Sequence, residues 1–201
     1  MEINLEGCNV AIVGDRNPIA ATIVAELAAS GARAAWASPE AASNGDPPAI
    51  LLLSCGLDPS GSGGDVAGLT YLAQAVAHAM ARRGSGRIVV FLSALGIVPM
   101  RRHPAYSVAM AGVAAALRGL AMQVAPAVLV NGLGIGLVTD DEGTVIAGDA
   151  AMASHSASPQ PIRTQEVADA ALFLCDPLNS YMTGQVLVVD GGWSAGYGRN
   201  F

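Results

Sequence analysis

The residues of this chain best suited to chemistry are the hydroxyls of Tyr106 and Ser93, the thiol of Cys55, the imidazoles of His78, His103 and His155, and the guanidinium pair Arg101 and Arg102. A tyrosine serves as a general acid or base only when its phenol is brought down from a pKa of about 10, where roughly one in a thousand is ionised at pH 7. An ammonium about 4 Å away, at an effective dielectric near 20, supplies roughly 4 kcal/mol, or about three pKa units. One helical turn after Tyr106, on the same helix face, the chain carries Met110, which packs in a core and stabilises no phenolate. Arg101, Arg102 and His103, just before the tyrosine, read as a solvated loop. Cys55 lies at a strand end with no candidate base beside it, so it reads as a buried thiol. Ser93 lacks a Gly-x-Ser-x-Gly elbow, and His78 and His155 lack ligand-spaced partners, which argues against hydrolase and metal chemistry.

The whole chain, 1–201, reads as one domain with a single core. Hydrophobic residues make up 52%, charged residues 13%, and there are 24 glycines, a balance typical of α/β proteins with buried parallel strands. Ten basic against 16 acidic residues give a net charge of −6, which disfavours nucleic acid and anionic membranes as partners. The first residues lack a basic stretch followed by an apolar one, so no secretory signal is expected. No apolar run reads as long enough to span a bilayer. Cys8, Cys55 and Cys175 are odd in number and widely spaced, which suggests reduced thiols and a cytoplasmic protein.

Strand and helix signals alternate along the chain. "NVAIVG" (9–14) is an apolar strand ending in glycine, followed by a helix with Pro18 in its first turn and Gly31 as its stop. "ARAAWAS", "AILLLSCG", "GRIVVFLSALG", "PAVLVNGLGIG" and "GQVLVVDGG" read as five further strands. Helices are expected from about Asp65 to Arg83, from Tyr106 to Val124, and over "TQEVADAALFLC" with Thr164 as its cap. The alternation predicts a Rossmann-like, doubly wound parallel sheet of about six strands. The linker Pro39–Ala49 is too short, and too rich in Pro, Asn and Gly, for a full crossover helix plus another strand. "DPSGSGGD" (58–65) reads as a flexible loop, and Asp140–Arg163 as a polar, lid-like segment at the ligand-binding end of the sheet.

These segments, in this order, resemble the short-chain dehydrogenase/reductase family over nearly the whole chain. "SYMTGQVLVVDGGWSAGY" is similar to the family's last strand and its glycine exit, and "GRIVVFLSALG" to the strand that carries the catalytic serine, here Ser93. Tyr106 follows Ser93 by thirteen residues, the family's spacing for two hydroxyls on one carbonyl. The family's phosphate turn, Thr-Gly-x-x-x-Gly-Ile-Gly, is matched by Val13, Gly14, Asp15, Arg16, Asn17, Pro18, Ile19 and Ala20, of which only Gly14 keeps its glycine. Pro18 offers no N–H where the middle glycine would present one, and Asp15 puts a negative charge beside the diphosphate position. Ser38 stands at the ribose-recognition position, and Leu53, Ser54, Cys55 and Gly56 where the family has Asn-Asn-Ala-Gly. The relay asparagine is matched by Asp65, and the lysine by Met110. Cofactor-free relatives that act on halogenated alcohols have an arginine at that last position, which this chain lacks.

The resemblance implies a vestigial site: Ser93 and Tyr106 without a working lysine, and Gly14, Pro18, Ala20, Ser38 and Gly56 without a dinucleotide. On that reading the sheet is shortened on its adenine side and this chain binds no cofactor. It serves as the non-catalytic subunit of a heteromeric dehydrogenase, an arrangement similar to hydroxybenzylsuccinyl-CoA dehydrogenase. An active paralogue, two copies with two of this chain, would hold NAD or NADP. Small residues after Tyr106 (Ala109, Ala111, Gly112, Ala114, Ala115, Ala116) and the tail anchors Trp193, Tyr197 and Phe201 are the expected contact surface. The competing expectation is a divergent oxidoreductase that still works through Ser93 and Tyr106.

Overall fold

The computed structural model describes residues 3–196. Its strands are β1 (Asn9–Gly14), β2 (Arg33–Trp36), β3 (Ile50–Ser54), β4 (Gly86–Ser93), β5 (Val128–Ile135), β6 (Val138–Thr139), β7 (Val145–Ala147) and β8 (Val186–Val189). Six of them form one parallel sheet in the order β2-β1-β3-β4-β5-β8. The α-helices are α1 (Pro18–Ala29), α2 (Pro39–Ser43), α3 (Val66–Arg83), α4 (Pro104–Val124) and α5 (Thr164–Cys175). α1 packs against α5 on one face of the sheet and α3 against α4 on the other, so strands such as β3 are buried along their whole length. Each face encloses its own apolar cluster.

Local chemistry explains where the elements begin and end. Asn17 caps α1 by accepting the Ala20 N–H at 2.9 Å, and Pro18 occupies the first turn, where no N–H is needed. Asp65 caps α3 through the Gly68 N–H, and Gly84, left-handed at φ 93°, ends it. The linker after β2 holds only the one-turn α2, and β2 is the sheet's edge strand, as the short Pro39–Ala49 segment requires. Beyond β1 the chain turns outward to β2 and returns to the other side for β3. A crevice therefore opens above the carboxyl ends of β1 and β3, at the switch point.

Three expectations are corrected. Thr164 is the first helical residue of α5 and not its cap: Arg163 holds the cap position, and the Glu166 carboxylate reaches back to the Arg163 N–H at 2.9 Å. The lid-like segment is partly regular, with an antiparallel β6–β7 ribbon and a 3-10 turn over Ala150–His155. α4 is long and apolar enough, by length and composition, to cross a membrane. Its many alanines raise the average without any continuous run of large apolar residues. The face bearing Tyr106, Met110, Val113, Leu117, Leu120 and Val124 is buried, and α4 packs on β4, β5 and α3.

Candidate active site

The turn after β1 is pressed against β3. A Cβ on Gly14, which has φ +117°, would lie 2.1 Å from the Ser54 carbonyl oxygen, so no other residue fits there. The next N–H, that of Asp15, donates to the same Ser54 carbonyl at 2.8 Å. Asn17 Nδ2 donates to the Asp15 carboxylate at 3.1 Å and to Ser54 Oγ at 3.3 Å. The Ala20 N–H is taken by the Asn17 cap, the Ala20 side chain is buried, and Pro18 has no N–H to offer. Ser38 is spent in the same way, accepting the Ala41 N–H at 3.2 Å as the cap of α2.

Above this turn lies a cleft of about 680 Å³, lined by Asp15, Glu40, Asp65 and Tyr71 among apolar walls. Its lining includes three carboxylates and no arginine. The nearby Arg16 guanidinium is stacked over the Trp36 ring, 5.1 Å from its centroid. A pyrophosphate brought to about 7 Å from one such carboxylate meets roughly 0.6–2.4 kcal/mol of repulsion per charge pair, for effective dielectrics between 80 and 20. The Asp65 carboxylate is exposed and engaged by Gly68, so it caps a helix and does not stand beside the hydroxyl pair as a relay. These residues do not fit a nicotinamide dinucleotide: the N–H groups of Asp15 and Ala20 are occupied, Pro18 has none, and the charge of the lining has the wrong sign.

At the other end of the crevice, Ser93 and Tyr106 are brought together and sealed. Ser93 is fully buried, and its Oγ accepts the Leu95 N–H at 3.2 Å, starting the 3-10 turn Ala94–Gly96. The Tyr106 phenol is 4% exposed and donates to the Gly56 carbonyl at 2.8 Å. Burial pushes the Tyr106 phenol well above the ordinary tyrosine range. A hydrogen bond with Ser93 lowers it in part, and Cys55, Asp58 and Asp15 raise it further. That is the opposite of what an acid/base tyrosine requires. Met110 is fully buried one turn along, and Gly96 packs on it. The ten basic residues of the chain are all arginines, so no lysine exists that could take its place.

The seal is the segment Gly56–Gly64, which we call the strap. Gly56 N–H donates to the Gly63 carbonyl at 2.8 Å, closing it into a loop. A Cβ on Gly63 would come 2.5 Å from the Met110 methyl and 3.5 Å from the Tyr106 ring. The strap therefore lies directly on Tyr106 and Met110. Most of the expected loop is exposed, but it is anchored at Pro59 and Gly63, and at Gly63 only a glycine fits against Met110.

Two further expectations change. The Arg101–His103 run is only partly solvated: His103 Nε2 pairs with the Asp149 carboxylate at 2.8 Å, and Arg102 approaches it at 3.5 Å. This partner lies 46 residues away, and nothing local in the sequence announces it. Trp193 is 9% exposed and belongs to the same apolar cluster as Tyr106, Met110 and Met152, so it is a core residue and not a contact anchor. Tyr197 and Phe201 lie outside the described residues. Of the small residues on α4, Ala114 is buried, whereas Ala111, Gly112 and Ala115 are exposed. Cys55 and Cys175 are buried thiols, pushed up to about 12 by burial, which suits inert side chains.

Residues 64–194 match the family model described as enoyl-(acyl carrier protein) reductase, which is about two thirds of the chain. The chain belongs to the short-chain dehydrogenase/reductase family. It is 35% identical over 136 residues to cis-4-hydroxycyclohexanecarboxylate dehydrogenase of Sinomonas cyclohexanicum, an alignment covering 65% of this chain and 54% of that protein. Over 116 residues it is 34% identical to a 3-oxoacyl-(acyl-carrier-protein) reductase of Aquifex aeolicus, covering 56% and 47%. The chain thus spans about half the length of the curated relatives it matches. A putative short-chain alcohol dehydrogenase from Sinorhizobium meliloti superposes with a TM-score of 0.81 at 21% identity, covering 98% of this chain and 100% of that one. A gluconate 5-dehydrogenase from Burkholderia cenocepacia, solved with NADP and tartrate, gives 0.78 at 21% identity, covering 96% and 98%. At these identities the solved structures speak to fold alone.

Proposed function

We propose that this chain is a non-catalytic short-chain dehydrogenase subunit that assembles with a complete paralogue, two copies of each, in the cytoplasm. The paralogue holds NAD or NADP and acts on a hydroxyacyl- or ketoacyl-CoA or a related alcohol. This chain contributes a folded surface and no cofactor. The observation that carries the reading is Tyr106: buried, donating to the Gly56 carbonyl, and flanked by Met110 in place of a cation. The acidic cleft at the switch point supports it, because the groups facing a diphosphate there would repel it. Exposed apolar side chains on the outer helices, Tyr71 at 76%, Val108 at 73% and Met122 at 80%, supply area for a partner.

The rival reading, a divergent oxidoreductase, draws support from the proximity of Ser93 to Tyr106 and from relatives named as dehydrogenases and reductases. Coexpression with each complete paralogue of the same genome separates the two. The subunit reading expects a stoichiometric complex whose turnover is lost when the paralogue's own tyrosine is replaced and is unchanged, within about twofold, by Tyr106→Phe in this chain. Turnover by this chain alone, abolished by Tyr106→Phe, would overturn it.

A further inference from the structure

A run of contacts links three segments that are distant in sequence. At the start of α4, His103 Nε2 pairs with Asp149 Oδ2 at 2.8 Å, and Arg102 stands 3.5 Å from the same oxygen. Asp149 belongs to the lid, and its other oxygen accepts the Ala151 N–H at 2.8 Å, so the carboxylate also starts the lid's 3-10 turn. The adjacent Gly148 N–H donates to the Leu57 carbonyl of the strap at 3.2 Å. One residue back, Gly56 accepts the Tyr106 phenol and donates to Gly63. The Asp58 carboxyl of the strap is held low first by its hydrogen bonds with Ser60, and the His103 charge adds to this.

The lid is held at its far end as well. Ser158 N–H donates to the Gly191 carbonyl at 2.8 Å, and Ile162 N–H to the Leu137 carbonyl at 2.9 Å. Its middle, around Gly148 and Asp149, is the part that touches the strap. We propose that His103 is the keystone of a closure: through Asp149 it holds the lid on the strap, and the strap in turn keeps Tyr106 and Ser93 shut away from any carbonyl compound. The closure is independent of the subunit reading. A strap that opened to admit a nicotinamide would overturn that reading and leave this one standing.

Hydrogen–deuterium exchange on the full chain tests it, read by mass spectrometry over peptides from the strap, the lid, β1 and α5. Asp149→Asn and His103→Ala are each expected to speed exchange at least tenfold in the strap and in the lid around Gly148, with β1 and α5 unchanged. His103→Gln retains a side-chain donor of similar reach and is expected to keep most of the protection. Acetylation with N-acetylimidazole supplies a second readout. In the parent chain, among the described tyrosines, it is expected at Tyr71 and Tyr181 only, and in His103→Ala at Tyr106 as well. Unchanged strap exchange in both opening variants overturns the proposal, as does equal loosening of all four regions. So does a His103→Gln variant that behaves like His103→Ala.

Discussion

Tyr106→Phe removes one oxygen and keeps the ring, so it isolates what the phenol does. The lost interactions are the 2.8 Å hydrogen bond to the Gly56 carbonyl and the hydrogen bond with Ser93, made by a side chain that is 4% exposed. A typical net hydrogen bond is worth about 1 kcal/mol, and a buried acceptor left without its donor costs about 1–3 kcal/mol. No cavity forms, because the ring still fills its place between Met110 and Gly63. The expected loss is therefore about 1–3 kcal/mol. For a domain of this size each kcal/mol moves the midpoint by roughly 2–4 °C, so the variant should melt roughly 2–12 °C lower. Thermal denaturation followed by circular dichroism measures this directly. A melting temperature unchanged within a degree would refute the reasoning, since it would mean the phenol is not bonded as described.

Other consequences follow from burial and charge. Met110→Lys places an ammonium at a fully buried position, which should cost on the order of 3–5 kcal/mol without creating dehydrogenase activity; denaturant unfolding and a nicotinamide-linked assay check the two halves. Trp193→Ala should cost about 3–5 kcal/mol in the isolated chain, because the indole is buried in the core, whereas an anchor exposed for assembly would leave the isolated chain's stability unchanged. Burial alone would raise the Asp149 carboxyl, but the hydrogen bonds from His103 and the Ala151 N–H, together with the Arg102 and His103 charges, outweigh it and hold the group below its ordinary range. A depressed folded pKa stabilises the fold above the ordinary carboxylate value of about 3.9 and loses that contribution as pH falls through the folded value. Asp149→Asn should therefore be less stable than the parent at pH 7, with the gap closing below about pH 4 in denaturant titrations.

The sequence made the sheet legible because its signals are local. Pro18 in the first turn of α1 with Gly31 beyond its end, and the apolar run "AILLLSCG", each mark an element by themselves. Met110 in place of a cation was legible for the same reason, since helical spacing puts it on the Tyr106 face. What escaped depends on contacts between distant segments. The strap read as a flexible loop because nothing in "DPSGSGGD" reports that Gly63 fits against Met110 and Tyr106. His103 read as solvated because its partner is 46 residues downstream. Trp193 read as an exposed anchor because a tryptophan after a glycine exit has no neighbour in sequence to bury it, while residues distant in sequence do so in the core. Thr164 gave way to Arg163 at the cap because Glu166 satisfies the backbone N–H there, whatever side chain the cap residue carries.

Calorimetric titration of the isolated chain with NADH and NADPH, up to millimolar concentration, tests the central claim most directly. The Asp15, Glu40 and Asp65 carboxylates, the occupied N–H groups of Asp15 and Ala20, and the strap over Tyr106 together predict no saturable binding of either. Saturation in the micromolar range would contradict the account, because it would require the turn and the strap to rearrange around a dinucleotide that the residues present do not fit.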